Sequence, residues 1–362
     1  MKEALTPSTP TTKKHSLQLV QMLRGIASLL VVLLHCTITV NESQGRPFLF
    51  DVFKFGGAGV DIFFVLSGFI ITYTSAPALK QQQGFTPFIR KRFVRIFPVY
   101  WIVISFFLLL QVLMPSFYRT HYDFSAANLL GTYLLFPGHT MVNGVSWTLT
   151  YELFFYLIFS LAFLIRNRAV LAGLCVIYIL GLIIPAWFYP QNITGNAWAD
   201  LVIFPMNLEF FMGIAAALLI PKIPRQSGRL LIVSGTLLFI ASAVFFNAGY
   251  AITGSAFNRV ILFGIPSFLL IMGIVKHELF TKIKVHSFFV QLGEASYSLY
   301  LLHLPFVAAG IKIFSKLQIS NTYLLHAFVL ALVAALCIGS IFFFKIIEKP
   351  LIDRLNRVLG RK

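Results

Sequence analysis

Apolar residues run along this chain in stretches of about 18 or more, which is the length that a helix needs to cross a membrane. These stretches recur from residue 17 to residue 347 and predict ten spans. The expected fold is therefore an all-α, polytopic bundle of transmembrane helices, and an even number of spans places both termini on one side. The predicted spans cover residues 17–40, 56–75, 97–114, 145–165, 169–188, 201–220, 230–246, 256–275, 288–311 and 324–347.

The composition supports a membrane protein. Of the 362 residues, 58% are apolar and 11% are charged, whereas soluble domains carry about 25% charged residues. The basic residues are unevenly placed, because 22 of the 29 Lys and Arg residues fall on the predicted side of the termini and 6 fall on the other side. Basic residues concentrate in cytoplasmic segments, so both termini are predicted to be cytoplasmic.

The charge and the cysteines narrow the possible partners. A net charge of +17 also occurs in nucleic-acid-binding proteins, but no soluble domain or recognition motif accompanies it, so we expect no nucleic-acid partner. The three cysteines stand singly inside spans and predict neither a disulfide framework nor a metal site. We expect a flexible cytoplasmic tail at 1–16, one membrane domain at 17–350 and a basic cytoplasmic tail at 351–362.

Span one carries two residues that are costly in lipid, Arg24 and His35. Eleven residues separate them, which is three helical turns plus about 20°, so they share one helix face about 16 Å apart. One interpretation is an arginine that extends to the headgroups and a histidine at the interface. The other is a pair of functional groups that face the interior of the bundle.

Other spans favour the second interpretation. Asp61, Glu152 and His303 fall, like His35, in the outer half of the predicted membrane domain. Charged residues inside a membrane usually face the bundle interior, where they pair or line a substrate path. A single acidic residue could be the partner in a structural ion pair, but several such groups from several helices predict a polar cavity. Glu209 is a further possible partner for a membrane-embedded base.

Three shorter features have both a structural and a functional interpretation. Ser67 and Gly68 form a small patch in span two that allows close helix packing. Trp147 is suited to an aromatic belt at the membrane surface. The segment FIRKRFVRIFPVYW carries Arg92 and Arg95 in a basic cluster that sets topology, and whose arginines also match phosphate oxygens.

Motifs along nearly the whole chain resemble those of the acyltransferase-3 family of integral-membrane O-acyltransferases. In chain order they are Arg24 followed after ten residues by His35, FFVLSGF, Arg92 and Arg95 before FPVYW, SWTLTYE, SYSLYLLHLP and EKP. The chain resembles the stand-alone branch that acetylates bacterial exopolysaccharides, and we expect no esterase-like domain.

The resemblance implies transfer of an acyl group, most simply acetyl, from cytoplasmic acyl-CoA to a hydroxyl of a surface or exported polysaccharide or its lipid-linked precursor. His35 would be the general base, because imidazole has an ordinary pKa near neutrality, and Asp61 or Glu152 would orient it. The implied location is the bacterial inner membrane, and no resident cofactor or metal is expected. The residues expected to bind substrate are Arg24, Ser67, Arg92, Arg95, Trp147, Ser296, Tyr300 and His303.

A second function class stays open at this point. Buried His, Asp, Glu and Arg residues also build the proton relays of membrane transporters. The usual signs of a transporter, paired broken helices in two related halves, are not visible in the sequence. The oligomeric state, the acceptor glycan and the hydroxyl that is modified are not indicated by any motif.

Overall fold

The computed structural model describes residues 17–80, 84–114, 122–188, 194–249, 256–281 and 283–360. The regular structure in these ranges is helical, and no β-strand occurs in them. The predicted flexible tail at 1–16 lies outside the described residues. The all-α prediction is thus confirmed for the part of the chain that the structure describes.

Fifteen α-helices follow one another along the described chain. They are α1 (Gln18–Gln44), α2 (Ala58–Lys80), α3 (Phe85–Leu113), α4 (Ala126–Leu134), α5 (Trp147–Leu164), α6 (Arg168–Phe188), α7 (Ala197–Ile203), α8 (Asn207–Leu219), α9 (Ser227–Asn247), α10 (Ala256–Arg259), α11 (Ile265–Phe280), α12 (Ser287–Glu294), α13 (Ser296–Lys316), α14 (Thr322–Phe343) and α15 (Lys349–Leu359). Turns of 3₁₀-helix form Phe48–Gly57 and Gly144–Ser146, and turns of π-helix form Val260–Gly264 and Phe344–Glu348.

Nine helical stretches within the described residues are long and apolar enough to cross a membrane. They correspond to nine of the ten predicted spans. The remaining span, predicted at 169–188, coincides with the helix α6 (Arg168–Phe188). The chain is therefore a multi-pass membrane protein built as a helical bundle.

The helices run up and down between two ends of this bundle. The start of α1 meets the end of α11, where the Leu19 amide donates to Glu278 Oε1 over 3.0 Å, and Gln18 accepts from the Val285 amide just before α12. We call this the basic end. At the opposite end Gln44, the last residue of α1, donates to Ser315 of α13. The helices α1 and α13 therefore run side by side in the same direction.

Three predicted spans differ from the helices observed. The helix α3 begins at Phe85 instead of residue 97, so the basic cluster is helical; Gly84 starts it with a φ of 109° and Pro87 lies in its first turn, where proline is tolerated. The span 201–220 is broken before Pro205, because a proline disfavours helical geometry in the residue that precedes it, and Phe204 is extended with a ψ of 120°. The span 288–311 is broken at Ala295, between α12 and α13.

Glycines bring the central helices into direct backbone contact. A Cβ atom on Gly68 of α2 would lie 2.0 Å from the carbonyl oxygen of Phe210 in α8, and one on Gly213 of α8 would lie 2.1 Å from that of Val65. A Cβ on Gly293 of α12 would meet the Gln21 carbonyl of α1 at 1.9 Å. Small residues allow such approach in membrane bundles, and they fix α2 and α1 at the centre of this one.

Candidate active site

The parallel helices α1 and α13 bring two predicted site pairs together. Nearer the basic end, Arg24 Nη2 donates to Ser296 Oγ over 3.0 Å. Three turns farther along α1, the His35 ring lies against that of His303, with His35 Nδ1 3.2 Å from His303 Nε2. The helix face that the sequence predicts for span one is thus the face that meets α13.

The backbone around the two histidines determines which ring nitrogens carry hydrogen. His303 Nδ1 lies 2.8 Å from the Tyr300 carbonyl oxygen, which can only accept, so Nδ1 is the donor and Nε2 an acceptor. His35 Nδ1 lies 2.8 Å from the Val31 carbonyl oxygen and is likewise a donor, shared with His303 Nε2. In the neutral pair the lone pair of His35 is therefore on Nε2, which is the atom that a general base needs.

A cavity of about 180 Å³, with charged groups set among apolar side chains, lies between α1, α2, α3, α5 and α13. Neither histidine is among its lining residues. Three arginines and one glutamate line it, so its formal charge is positive. We call it the arginine cavity. Its polar lining residues are Arg24, Ser67, Arg92, Arg95, Thr148, Glu152, Tyr156, Ser296, Tyr297 and Tyr300.

Glu152 is held on the wall of the arginine cavity by hydroxyl groups. Its Oε1 accepts from Ser67 Oγ over 2.8 Å and also from the hydroxyl of Tyr156, one turn later on α5. Ser67 therefore orients the Glu152 carboxylate by a direct hydrogen bond. Among the described residues Glu152 makes no hydrogen bond to His35. No direct contact therefore supports the prediction that Glu152 orients His35.

Arg92 is the arginine of this cavity with the weakest protein partners. Its guanidinium lies over the rings of Phe88 and Tyr156, 5.4 and 5.5 Å from their centroids. Its Nη2 lies 3.4 Å from Thr74 Oγ1, a long hydrogen bond, and its buried Nε has no partner among the described residues. Arg92 thus keeps donor capacity for an anion.

Arg95, one turn after Arg92, is neutralised by the protein itself. Its Nη1 lies 2.6 Å from Glu348 Oε1, and the second oxygen of that fully buried carboxylate accepts from Ser298. The guanidinium also lies 5.5 Å from the ring centroid of Tyr297. Glu348 belongs to the EKP motif, but the sequence alone did not suggest it as a partner.

Asp61, the other carboxylate expected to orient His35, is paired elsewhere. Arg259 Nη2 lies 2.7 Å from Asp61 Oδ2, Arg259 Nε lies 3.1 Å from both carboxylate oxygens, and the same guanidinium donates to the Gly57 carbonyl. Glu209 is fully buried beside this pair and faces the Asp61 carboxylate, so a hydrogen bond between the two acids requires that one of them carries a proton. Arg259 was not predicted as a site residue, although it is a basic residue inside a predicted span, as Arg24 is.

Two aromatic residues occupy different positions relative to the cavity. Trp147 packs edge-on against Phe64, with centroids 6.4 Å apart, and against Tyr151 and Phe204, so it lies behind the cavity wall. Tyr300 is part of the wall: its hydroxyl lies 2.9 Å from Thr148 Oγ1, and its ring lies 5.8 Å from that of His303. Tyr300 therefore separates the arginine cavity from the histidine pair.

A second cavity, of about 550 Å³, lies on the far side of the histidine pair between α1, α3 and α13. We call it the distal cavity. It begins at Thr39, one turn beyond His35, and its walls are largely apolar. Its polar lining residues are Thr39, Glu42, Ser43, Lys312 and Ser315, and its aromatic ones are Phe106, Phe107 and Phe306.

Comparison with known proteins identifies the class. Residues 19–344 match the family model described as an acyltransferase domain, so the chain belongs to the acyltransferase-3 family. Family membership makes this multi-pass membrane protein an O-acyltransferase.

Its relatives span several bacterial systems. Over 318 residues the chain is 27% identical to the exopolysaccharide production protein ExoZ of Rhizobium meliloti (strain 1021), covering 83% of this chain and 91% of the relative. It is 29% identical over 275 residues to nodulation protein 10 of Rhizobium leguminosarum bv. viciae, covering 67% and 73%. It is 26% identical over 330 residues to the peptidoglycan O-acetyltransferase OatA of Listeria monocytogenes, covering 82% and 51%. No solved structure matches the chain at a significant level.

Proposed function

We propose that the protein transfers an acyl group, most simply acetyl, from acyl-CoA to a hydroxyl of an exported polysaccharide or its lipid-linked precursor in the bacterial inner membrane. The observation that carries this proposal is the position of His35. Its Nε2 holds the lone pair, and a cavity lies on each side of the histidine pair to which it belongs.

The arginine cavity suits the donor. It begins near the basic end, which the charge distribution predicts to be cytoplasmic, and its three guanidiniums would attract an anionic molecule such as a CoA thioester. Its volume of about 180 Å³ lies below the range of about 300–1,000 Å³ that is typical for drug-sized ligands. We therefore expect the cavity to hold the acyl end of the donor and the adjoining arm, with the nucleotide outside.

The distal cavity suits the acceptor. It begins one turn from His35 and extends toward the opposite end of the bundle, where an exported glycan would be found. Hydroxyl groups of Thr39, Ser43 and Ser315 provide hydrogen-bonding partners for a sugar, while the phenylalanines offer apolar contacts. Donor and acceptor would thus approach the histidine pair from opposite sides.

The proposed reaction needs one proton transfer in each direction. His35 Nε2 takes the proton of the acceptor hydroxyl as its oxygen attacks the thioester carbonyl carbon. The C–S bond then breaks, the ester remains on the acceptor, and the thiolate of CoA takes the proton from the imidazolium. Atoms and charges balance without a further reactant.

His303 and the Val31 carbonyl keep His35 in the productive tautomer. Both accept from His35 Nδ1–H, at 3.2 and 2.8 Å, so the ring cannot present its protonated nitrogen to the acceptor without losing them. His303 thereby takes the orienting role that carboxylates have in other catalytic sites. Tyr300, between the arginine cavity and His303, would have to rotate or be displaced for the thioester to reach His35.

The test is an assay of ester formation with purified protein in proteoliposomes. Acyl-CoA is supplied on one side and a glycan acceptor on the other, and wild type is compared with His35→Gln and with His326→Gln. The control His326 lies in α14 against Phe48, away from both cavities. A general base contributes about 10² to 10⁴ in rate, so His35→Gln should lose at least about a hundredfold while His326→Gln retains activity.

Two outcomes would reject the proposal. If His35→Gln forms ester at the same rate as wild type, His35 is excluded as the general base. Proton movement across the proteoliposome membrane that depends on His35, without acyl transfer, would place the buried groups in a transport relay instead. In cells, the ester content of the surface polysaccharide should fall when the gene is deleted, and it should return with His326→Gln but not with His35→Gln.

A further inference from the structure

A third cavity, of about 270 Å³, lies at the basic end between the start of α9 and the end of α11. It shares no residue with the arginine cavity, so it stands apart from the proposed reaction. We call it the α9–α11 pocket. It is lined by Arg225, Gln226, Arg229, Lys276, His277, Phe280 and Thr281.

The cationic groups of this pocket are held in place. Lys276 is 4% exposed, and its ammonium donates to the Ile220 carbonyl over 2.9 Å. Arg225 donates to the Phe280 carbonyl over 2.9 Å. Both cations lie over the Phe280 ring, at 5.0 and 5.2 Å from its centroid. The protein therefore fixes two positive charges around one aromatic ring, and Arg229 joins them at the pocket wall.

Among the described residues no carboxylate lines the pocket to balance these charges. Glu278, the acidic residue next to it in sequence, is not part of the lining, and its carboxylate accepts from the Leu19 amide of α1. Like charges held together destabilise the fold unless an anion offsets them. The first turn of α9 also has no acidic residue and its Gln226 cap makes no side-chain hydrogen bond, so the helix dipole adds to the positive potential.

The surroundings indicate what kind of anion would bind. Phe280 is 47% exposed, and a stripe of exposed apolar residues leaves the pocket along α9: Leu230, at 70%, then Val233 and Leu237 at helical spacing. In a membrane-spanning helix such a stripe faces acyl chains. The pocket therefore places cations where a headgroup lies and apolar side chains where its fatty acids run.

We propose that the α9–α11 pocket binds the phosphate of an anionic phospholipid headgroup. Basic pockets between transmembrane helices are suited to such headgroups, and each basic residue near an anionic surface contributes about a factor of five in affinity. A phosphatidylglycerol or cardiolipin molecule fits this chemistry, whereas a zwitterionic lipid does not. The bound lipid would join α9 to α11.

The test compares lipid binding by three forms of the purified full-length protein. Each form is purified in detergent. The first is wild type, the second is the pocket variant Arg225→Gln with Arg229→Gln, and the third is the control Arg166→Gln with Arg168→Gln. Lipid retained on the protein is counted by native mass spectrometry, and the thermal midpoint is followed as phosphatidylglycerol or phosphatidylcholine is added. The control removes the same charge from Arg166, in the loop before α6, and from Arg168, the first residue of α6, which donates to the Leu79 carbonyl. Both arginines are exposed and line none of the three cavities.

We expect phosphatidylglycerol, but not phosphatidylcholine, to bind and raise the thermal midpoint of wild type and of the control. In the pocket variant the apparent affinity should fall about twenty-five-fold, because two basic residues are lost. If the pocket variant does not fold, Arg225→Lys with Arg229→Lys keeps the charge and should keep the response. An equal response in pocket variant and control would overturn the proposal. A response to inorganic phosphate as large as that to the lipid would assign the pocket to a soluble anion.

Discussion

The imidazole rings of His35 and His303 lie against each other, with centroids 4.9 Å apart and His35 Nδ1 3.2 Å from His303 Nε2. His303 is fully buried, and its other nitrogen is fixed by the Tyr300 carbonyl. The pair joins span one to α13 over 268 residues of sequence. It also determines which nitrogen of His35 faces away from the pair.

Replacement of His303 should therefore act through the position of His35. We expect His303→Leu to lower kcat about a hundredfold, the cost of a small misplacement of a catalytic group. The KM for acyl-CoA should change little, because His303 does not line the arginine cavity. His303→Gln should recover part of kcat, since an amide oxygen can accept from His35 Nδ1–H. The measurement is the steady-state kinetics of the two variants, compared with wild type at equal thermal stability. A normal kcat for His303→Leu would exclude a positioning role for His303.

Arg92 should control donor affinity. It lines the arginine cavity, its buried Nε has no partner among the described residues, and a charged hydrogen bond contributes about 1.5–3 kcal/mol. Arg92→Gln should raise the KM for acyl-CoA about tenfold or more. Arg90→Gln is the matched control: the Arg90 Nε also has no partner among the described residues, but Arg90 does not line the cavity and donates to the Leu359 carbonyl. An unchanged KM for Arg92→Gln would show that this arginine does not bind the donor and contributes only to the orientation of the protein in the membrane.

Arg95 and Glu348 require a different experiment. Arg95→Gln alone leaves the buried Glu348 carboxylate without its cation, so any loss of activity would mix donor binding with folding. Breaking a buried pair from one side costs about 3–5 kcal/mol, whereas neutralising both partners costs far less. We expect Arg95→Gln to lower the thermal midpoint and the double variant Arg95→Gln with Glu348→Gln to restore most of it. Additive losses in the double variant would contradict a coupled pair.

Much of the bundle was predictable from the sequence, because membrane helices carry their own signal. The apolar runs located the nine membrane-length stretches and α6, and helical periodicity placed Arg24 and His35 on the face that meets α13. Family motifs also marked most of the residues that line the arginine cavity. Each of these features is encoded by residues that lie close together in the sequence, within one helix.

Pairings between helices were not predictable in the same way. Asp61 meets Arg259 across 198 residues and Arg95 meets Glu348 across 253, and neither spacing carries a periodic signal. An apolar window also misplaced the start of α3, because charged residues such as Arg90 lower the mean hydropathy of a segment that is nevertheless helical. Only the packing of the bundle determines these contacts.

Gly68, in the FFVLSGF motif, should tolerate no side chain. Its Cβ would lie 2.0 Å from the Phe210 carbonyl oxygen, so α2 and α8 would have to separate. Overpacking of this kind costs about 1–3 kcal/mol or more. Gly68→Ala should lower the thermal midpoint and activity, whereas Gly339→Ala in α14, where nothing lies within 4 Å, should be neutral. Equal midpoints for the two variants would show that the helices can relax at this crossing.

The last prediction concerns the sides of the membrane, on which the donor assignment depends. Tyr323, 83% exposed in the first turn of α14, and Arg166, exposed after α5, lie at opposite ends of the bundle. Because basic residues concentrate on the cytoplasmic side, position 166 should be inside and position 323 outside. A membrane-impermeant maleimide added to spheroplasts should label Tyr323→Cys at once and Arg166→Cys only after permeabilisation. The parent chain, in which Cys36 and Cys337 are buried and Cys175 is half-buried, sets the background. Reversed labelling would place the arginine cavity on the outer side and remove cytoplasmic acyl-CoA as its donor.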